Sequence, residues 1–191
     1  MKVIQLYKKE SDLIKKALKS NREAQHVLFE MYAPKMLSVC RCYIKDLQQA
    51  EEAMLNGFFK VFTQLNTFRN EGSFEGWIRR IMVRESISYL RSKRSFEQLE
   101  EDINELVEAE NLETNLLESE LNVADIQQLI DQLPEGYKTV FVLYAIEGYK
   151  HHEIASILNM TEGTSKSQLF KARKLLQQQV VKLKSMENGT N

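Results

Sequence analysis

The sequence predicts an all-α protein built as two small helical domains joined by a flexible acidic linker. Three observations lead there. Helix breakers are scarce, with seven Gly and two Pro in 191 residues, and the polar residues are mostly helix formers. Apolar residues recur at three- and four-residue spacing along the helical runs, the period of an amphipathic helix. Charge is segregated beneath a net −1: residues 1–94 hold 18 Lys and Arg against 10 acids, residues 95–137 hold 13 acids and no Lys or Arg, and residues 138–191 hold 8 basic against 4 acidic residues. Two basic ends around an acidic middle suggest two nucleic-acid-facing modules and a connector. The expected boundaries are a first module at 1–94, a linker at 95–121, a second module at 122–184 and a tail at 185–191.

Residues 11–19 are expected to form a short basic helix. Asn21 is placed to cap the next, Arg22 to Ile44, with Ala24, Val27, Leu28, Met31 and Tyr32 inward. Pro34 should kink or restart that helix, because proline lacks the N–H its turn requires. A third helix, from about Leu47 to Leu65, carries a full core stripe: Ala50, Ala53, Met54, Gly57, Phe58, Val61, Phe62 and Leu65. Leu55 and Phe59 fall off that stripe, beside Glu51 and Glu52. Two readings stand open for the pair, a docking site for a partner or a wider core face.

A polar loop spiked with aromatics follows, Asn66-Thr67-Phe68-Arg69-Asn70-Glu71-Gly72-Ser73-Phe74, and leads into a helix from Trp77 to Arg91. At about 100° per residue, Trp77, Arg80, Arg84, Ser88 and Arg91 share one face of it. Arginines at helical spacing beside an indole and an Asn/Thr/Phe loop match what single-stranded DNA asks for: cations along phosphates, aromatic and amide groups for unstacked bases. Trp77 also reads as a core anchor, and the arginines as a solvated stripe. Residues 95–121 are acidic and poorly patterned, which favours disorder or weak helicity.

In the second module Asn122 should cap a helix from Val123 to Leu133 with Val123, Ile126, Leu129, Ile130 and Leu133 inward. Pro134 suits the first turn of the next helix, and Gly148 suits its end. His152 to Leu158 then forms a short helix burying Ile154, Ala155 and Leu158. The turn Asn159 to Gly163 leads to a longer helix that starts behind Thr161. A short helix, a tight turn and a second helix is a helix-turn-helix pattern. On the second helix Leu169, Ala172 and Leu176 share the inner face with Ser165 beside them. Thr164, Ser167, Lys171 and Lys174 lie opposite, flanked by Lys166 and Arg173. A small, polar, cationic outer face suits entry into the DNA major groove; a solvated Lys-rich helix has the same pattern.

Cys40 and Cys42 are the only cysteines, and His26, His151 and His152 complete no ligand set at zinc spacing. Core or surface thiols are expected, with no metal or cofactor. The N-terminal stretch lacks a signal-peptide apolar run and no stretch approaches a membrane span, so a cytoplasmic protein without membrane insertion is expected. No nucleophile, metal or phosphate-loop constellation points to an enzyme.

Taken together, AEEAMLNGFFKVF (50–62), Phe74, GWIRRI (76–81), SYLR (88–91) and LPEGYKTVFVLYAIEGYKHHEIASILNMTEGTSKSQLFKARKLL (133–176) resemble the extracytoplasmic-function group of bacterial RNA polymerase sigma factors. The resemblance covers roughly residues 10–94 and 122–182. It implies that the first module (region 2) docks on the polymerase clamp, recognises the −10 promoter element and helps to melt it, and that the second (region 4) reads the −35 element as duplex. It further implies core polymerase and promoter DNA as partners, with an anti-sigma factor common in the family. Glu51, Glu52, Leu55 and Phe59 would then contact the clamp. Asn66, Thr67, Phe68, Arg69, Phe74 and Trp77 would receive the opened strand, with Arg80, Arg84 and Arg91 on its phosphates. Thr164, Ser165, Ser167, Lys171 and Lys174 would serve the upstream contact, with Lys166 and Arg173 on phosphates. Met54-Leu55-Asn56-Gly57 stands where the family usually has Asp-x-x-Gln-Glu, Arg84 where it has Asn, and Ser88 where it has Asp. These departures bear on the details of clamp contact and on promoter preference. A helix-turn-helix regulator whose N-terminal domain does not bind polymerase is the competing expectation.

Overall fold

The fold, given by a computed structural model, is described for residues 2–97 and 123–188, with side chains over 10–93 and 124–183. The chain divides into two compact units, residues 1–99 and 100–191. Every element among the described residues is helical.

In the first unit α1 (Lys2–Ala17) is longer than its basic run suggested and packs on the following helix through Ile14 and Ala17. Ser20 turns the chain with a left-handed φ of 58°. Asn21 then caps α2 (Arg22–Tyr43) as expected, its side-chain oxygen accepting from Ala24 N at 2.8 Å. Pro34 does not restart α2; the helix runs through it. Its position explains the tolerance: Pro34 and Glu30, whose carbonyl loses its partner, are both exposed, so water can satisfy that carbonyl. Met31, expected inward, is 38% exposed, while Ala24, Leu28, Tyr32 and Met36 face the core. The Arg41 guanidinium donates to the Ile44 and Lys45 carbonyls and closes the C-terminal end.

Asp46 caps α3 (Leu47–Thr63), accepting from Gln49 N at 2.9 Å. Its stripe is buried as read, with Phe62 half-buried. Gly57 has a specific reason to lack a side chain: a Cβ there would lie 2.3 Å from Met82 Sδ, and Met82 is fully buried on the next long helix. The glycine lets α3 and that helix approach closely. Helix α4 (Phe74–Glu97) begins before Trp77, because Ser73 Oγ accepts from Gly76 N at 3.0 Å and starts the helix there. Ile78, Ile81, Met82, Val83, Ile87 and Leu90 complete the core. Cys40 lies in it, and burial pushes its thiol up to about 11, so the thiol stays protonated and unreactive at neutral pH. Of the expected linker only 95–97 falls in the described residues, as the last turn of α4; the rest lies outside them, as does Asn122.

In the second unit α5 (Val123–Asp131) buries Leu129 and Ile130, with Leu133 just beyond its end. Ile126, expected inward, is 45% exposed, since this short helix packs through its last turn. Pro134 precedes α6 (Glu135–Phe141), which continues as a π-helical turn, Val142–Ile146, and stops at Gly148 with φ of +75°. The Lys138 ammonium on α6 meets Asp131 at 2.6 Å with both side chains nearly buried. Helix α7 (His151–Leu158) ends at Asn159, whose φ and ψ of 56° and 50° are left-handed, a conformation Asn tolerates. Helix α8 (Glu162–Asn188) starts behind Thr161, whose Oγ1 accepts from Thr164 N at 3.0 Å. Ile154, Leu169 and Ala172 join the two helices, with Ala155 and Leu158 half-buried.

Candidate nucleic-acid and partner interfaces

The first candidate surface is the loop between α3 and α4 with the face of α4 behind it. A 3-10 turn, Leu65–Thr67, opens the loop, pinned by buried Leu65 and by Thr67 Oγ1 donating to Gln64 O at 2.8 Å. An aromatic cluster sets the rest: the Phe68 ring lies 5.1 Å from Phe74 and 5.5 Å from Trp77, and Phe74 stacks on Trp77 at 5.8 Å. Tyr32 on α2 closes on Phe74 edge-on at 5.7 Å. Asn70 and Gly72 take positive φ, 56° and 106°, which turns the loop's polar tip outward.

Phe74 therefore differs from expectation. It is 2% exposed at the centre of the cluster, so it supports the loop and is not available to a base. Phe68 and Trp77 are half-buried, combining the anchor and surface readings in the same two side chains. Asn66, Thr67 and Arg69 are exposed, and so is Asn70, which the sequence reading placed in the loop without singling it out. Arg80, Arg84, Ser88 and Arg91 are all exposed on one face of α4, and Arg80 Nε donates back to Gly76 O at 3.3 Å.

The second surface is the outer face of α3. Leu55 is 54% exposed and Phe59 70%, with Glu51 and Glu52 also exposed. The wider-core reading of this pair is not what the structure has. Leu47, 54% exposed, lies on the same line two steps of four residues before Leu55, with Glu51 between them; its place at the helix start hid it in the sequence. Leu47, Leu55 and Phe59 make an apolar line with a carboxylate edge, the anatomy of a partner surface.

The third surface is the helix-turn-helix. Thr164, Lys166, Arg173 and Lys174 are exposed, and Ser167 is half-buried. The Thr164 and Ser167 hydroxyls are tied locally, Thr164 Oγ1 to Thr161 Oγ1 at 2.8 Å and Ser167 Oγ to Thr164 O at 3.0 Å. Ser165 departs from the expected set: it is fully buried and bonded to His151 Nδ1 at 2.9 Å, so it does not reach DNA. Lys171 is half-buried with its ammonium 5.9 Å from the centre of the Tyr137 ring, which draws it toward α6 at the edge of the outer face. The Arg173 guanidinium sits 5.5 Å over Tyr144. Phe170, three residues after Ser167 and four before Lys174, is half-buried on the outer face; the sequence pattern assigns it to neither face.

Among the described residues no group of His, Cys, Asp and Glu is disposed to hold a metal, and no helix is long and apolar enough to cross a membrane.

Comparison with known proteins follows the same division. The family model for Sigma-70 region 2 matches residues 28–96, and that for Sigma-70, region 4 matches residues 124–176. The RNA polymerase sigma-H factor of Pseudomonas aeruginosa is 27% identical over 177 residues, which are 87% of this chain and 91% of that protein. The ECF RNA polymerase sigma-E factor of Escherichia coli is 26% identical over 179 residues, 88% of this chain and 92% of that one. Among solved structures, the sigma factor RpoE of Bartonella quintana, in complex with the anti-sigma factor NepR, is similar in fold with a TM-score of 0.51 and 18% identity, covering 80% of this chain and 94% of that one.

Proposed function

Since the chain belongs to the sigma-70 family of RNA polymerase sigma factors, in its extracytoplasmic-function group, we propose a division of labour among its three surfaces. The protein binds core RNA polymerase and directs promoter-specific initiation; the polymerase supplies the chemistry, and the chain works in the cytoplasm without catalysis of its own. The apolar line of α3, Leu55 and Phe59 with Glu51 and Glu52, docks on the clamp. The loop from Asn66 to Ser73 receives a base leaving the duplex, at a cost of a few kcal/mol, beside the half-buried Phe68 and Trp77. Arg80, Arg84 and Arg91 hold the phosphates of the opened strand. The exposed face of α8 reads upstream duplex, with Thr164, Ser167 and Lys174 toward bases, Lys166 and Arg173 on phosphates, and Lys171 at the edge.

The observation that carries this reading is the exposure of Leu55 and Phe59, 54% and 70%, on a unit separate from the helix-turn-helix. A duplex-binding regulator has no use for an uncovered apolar line on its other unit. The test is capture: the tagged chain should bring down core polymerase and start transcription at a discrete site. Duplex binding without capture would leave a helix-turn-helix regulator. An anti-sigma factor seated on the same α3 line would exclude the polymerase, a mode of control this reading accommodates.

The two kinds of DNA contact are separable. Lys166→Ala should weaken upstream duplex binding for all sequences alike and reduce its salt dependence by about one ion. Arg80→Ala with Arg84→Ala should spare the upstream duplex and impair transcription. A pre-melted bubble template should restore that variant only in part, because the bubble removes melting and not strand holding. Loss of upstream duplex binding in the double variant would show that the modules do not divide the work.

A further inference from the structure

We propose that His151 is a positioning residue for the upstream reader: it seats the N-terminal turns of α8 through Ser165 and steadies the Tyr144 ring beside Arg173, without touching DNA. The inference rests on α8 being the duplex-facing helix.

His151 opens α7, and Ser165 is the fourth residue of α8. Their hydrogen bond of 2.9 Å spans 14 residues of sequence and joins the N-terminal ends of the two helices of the motif. Ser165 is fully buried, and its N–H is already used on Thr161 O at 3.1 Å. A buried hydroxyl needs a partner, and His151 is the one it has. The imidazole also stacks on Tyr144 at 4.7 Å and 25°. Tyr144 belongs to the π-helical turn and carries the Arg173 guanidinium at 5.5 Å. One side chain thus ties α7, the π turn and α8 together at the end of α8 that enters a groove. Short readers such as Thr164 and Ser167 tolerate little displacement, since a contacting group must be held to about 0.5 Å.

The ring is best suited to this as the neutral form. Burial lowers its pKa from the ordinary 6.5, and the Lys166 and Arg173 cations lower it further against the opposing pull of Glu162. Those three groups of α8, with Tyr144, are the charged and titratable groups that face it. The unfolded chain therefore binds this proton more readily. The stabilisation is complete above the ordinary value and is lost as pH falls through the folded one. A histidine on a phosphate would behave in the opposite way, since DNA would favour its cation and acid would tighten binding.

The experiment uses the full chain and a duplex selected from a randomised library. His151→Phe keeps a ring over Tyr144 and loses the hydrogen bond; His151→Asn offers an amide where Nδ1 stood. The Phe variant should bind about tenfold more weakly, and the Asn variant within about threefold of wild type. Between about pH 7.5 and about pH 5.5 wild-type binding should weaken, and the Asn variant should show a flatter profile. An Asn variant as weak as Phe, or wild-type binding that tightens in acid, overturns the proposal. Imidazole titration of the free protein by NMR separates the inference from its premise. Amide shifts over 162–168 should follow His151, and should cease to follow it in Ser165→Ala. If they follow and no duplex is selected, the assignment of α8 fails alone; if they do not follow, the positioning role fails whatever the DNA result.

Discussion

Replacing Leu55 and Phe59 together by glutamate should reduce capture of core RNA polymerase by about a hundredfold or more while leaving helicity and the melting temperature near wild type. The argument is one of contrast between two faces of the same helix. Ala50, Ala53, Met54, Gly57, Phe58 and Val61 face the core of the first unit, whereas Leu55 and Phe59 are 54% and 70% exposed. Charge placed on an exposed helix position costs within about 0.5 kcal/mol of stability. The same charge in a desolvated apolar contact removes an anchor worth about 2 kcal/mol or more, and two anchors in one contact act together. Glu51 and Glu52 add like charge to the new glutamates. Capture from purified core enzyme and a thermal melt, run on the same preparation, give the result. Undiminished capture in a folded variant would remove α3 from the docking surface. Unfolding would mean that the two residues support the core despite their exposure.

What was legible in the sequence was whatever has a period. The α3 stripe, the arginine face of α4 and the Thr161 start of α8 all follow from neighbours three and four residues apart, and the structure places them as read. What was not legible depends on partners distant in sequence. Ser165 reads as a neighbour of the inner apolar face, and only the family resemblance puts it among the upstream contacts. Its burial is explained by His151, and nothing in the local pattern marks that pair. Phe74 looked like one more aromatic of a base-receiving loop. It is the buried hinge of a cluster drawn from α2, the loop and α4. Lys171 has the right helical phase for a base contact, but the Tyr137 ring draws its ammonium toward α6. In each case the periodicity gave the face, and a tertiary contact decided whether the residue was available on it.

Lys138 is the strongest instance, a lysine in an amphipathic helix that the structure buries, and it carries the other large expected effect. Asp131→Ala should destabilise the second unit by about 3–5 kcal/mol, because it takes from the buried Lys138 ammonium the carboxylate it meets. The Lys138 side chain is 4% exposed and that of Asp131 11%, with the ammonium 2.6 Å from the carboxylate. Gln127 also donates to the same Asp131 oxygen at 3.2 Å, so the carboxylate organises the last turn of α5 as well. A loss of that size is a large part of the 5–15 kcal/mol typical of a whole domain. Tyr137 adjoins Lys138 and carries Lys171, so upstream duplex binding should fall with stability. Capture of polymerase through Leu55 and Phe59, in the other unit, should persist. Asp131→Leu with Lys138→Met should recover most of the lost stability, since apolar groups of similar volume fit the site without a charge to strand. Thermal melting and hydrogen exchange of the two units, read separately, decide it. A single Asp131→Ala variant that melts with wild type would mean that water reaches the ammonium and that the pair is not a buried one.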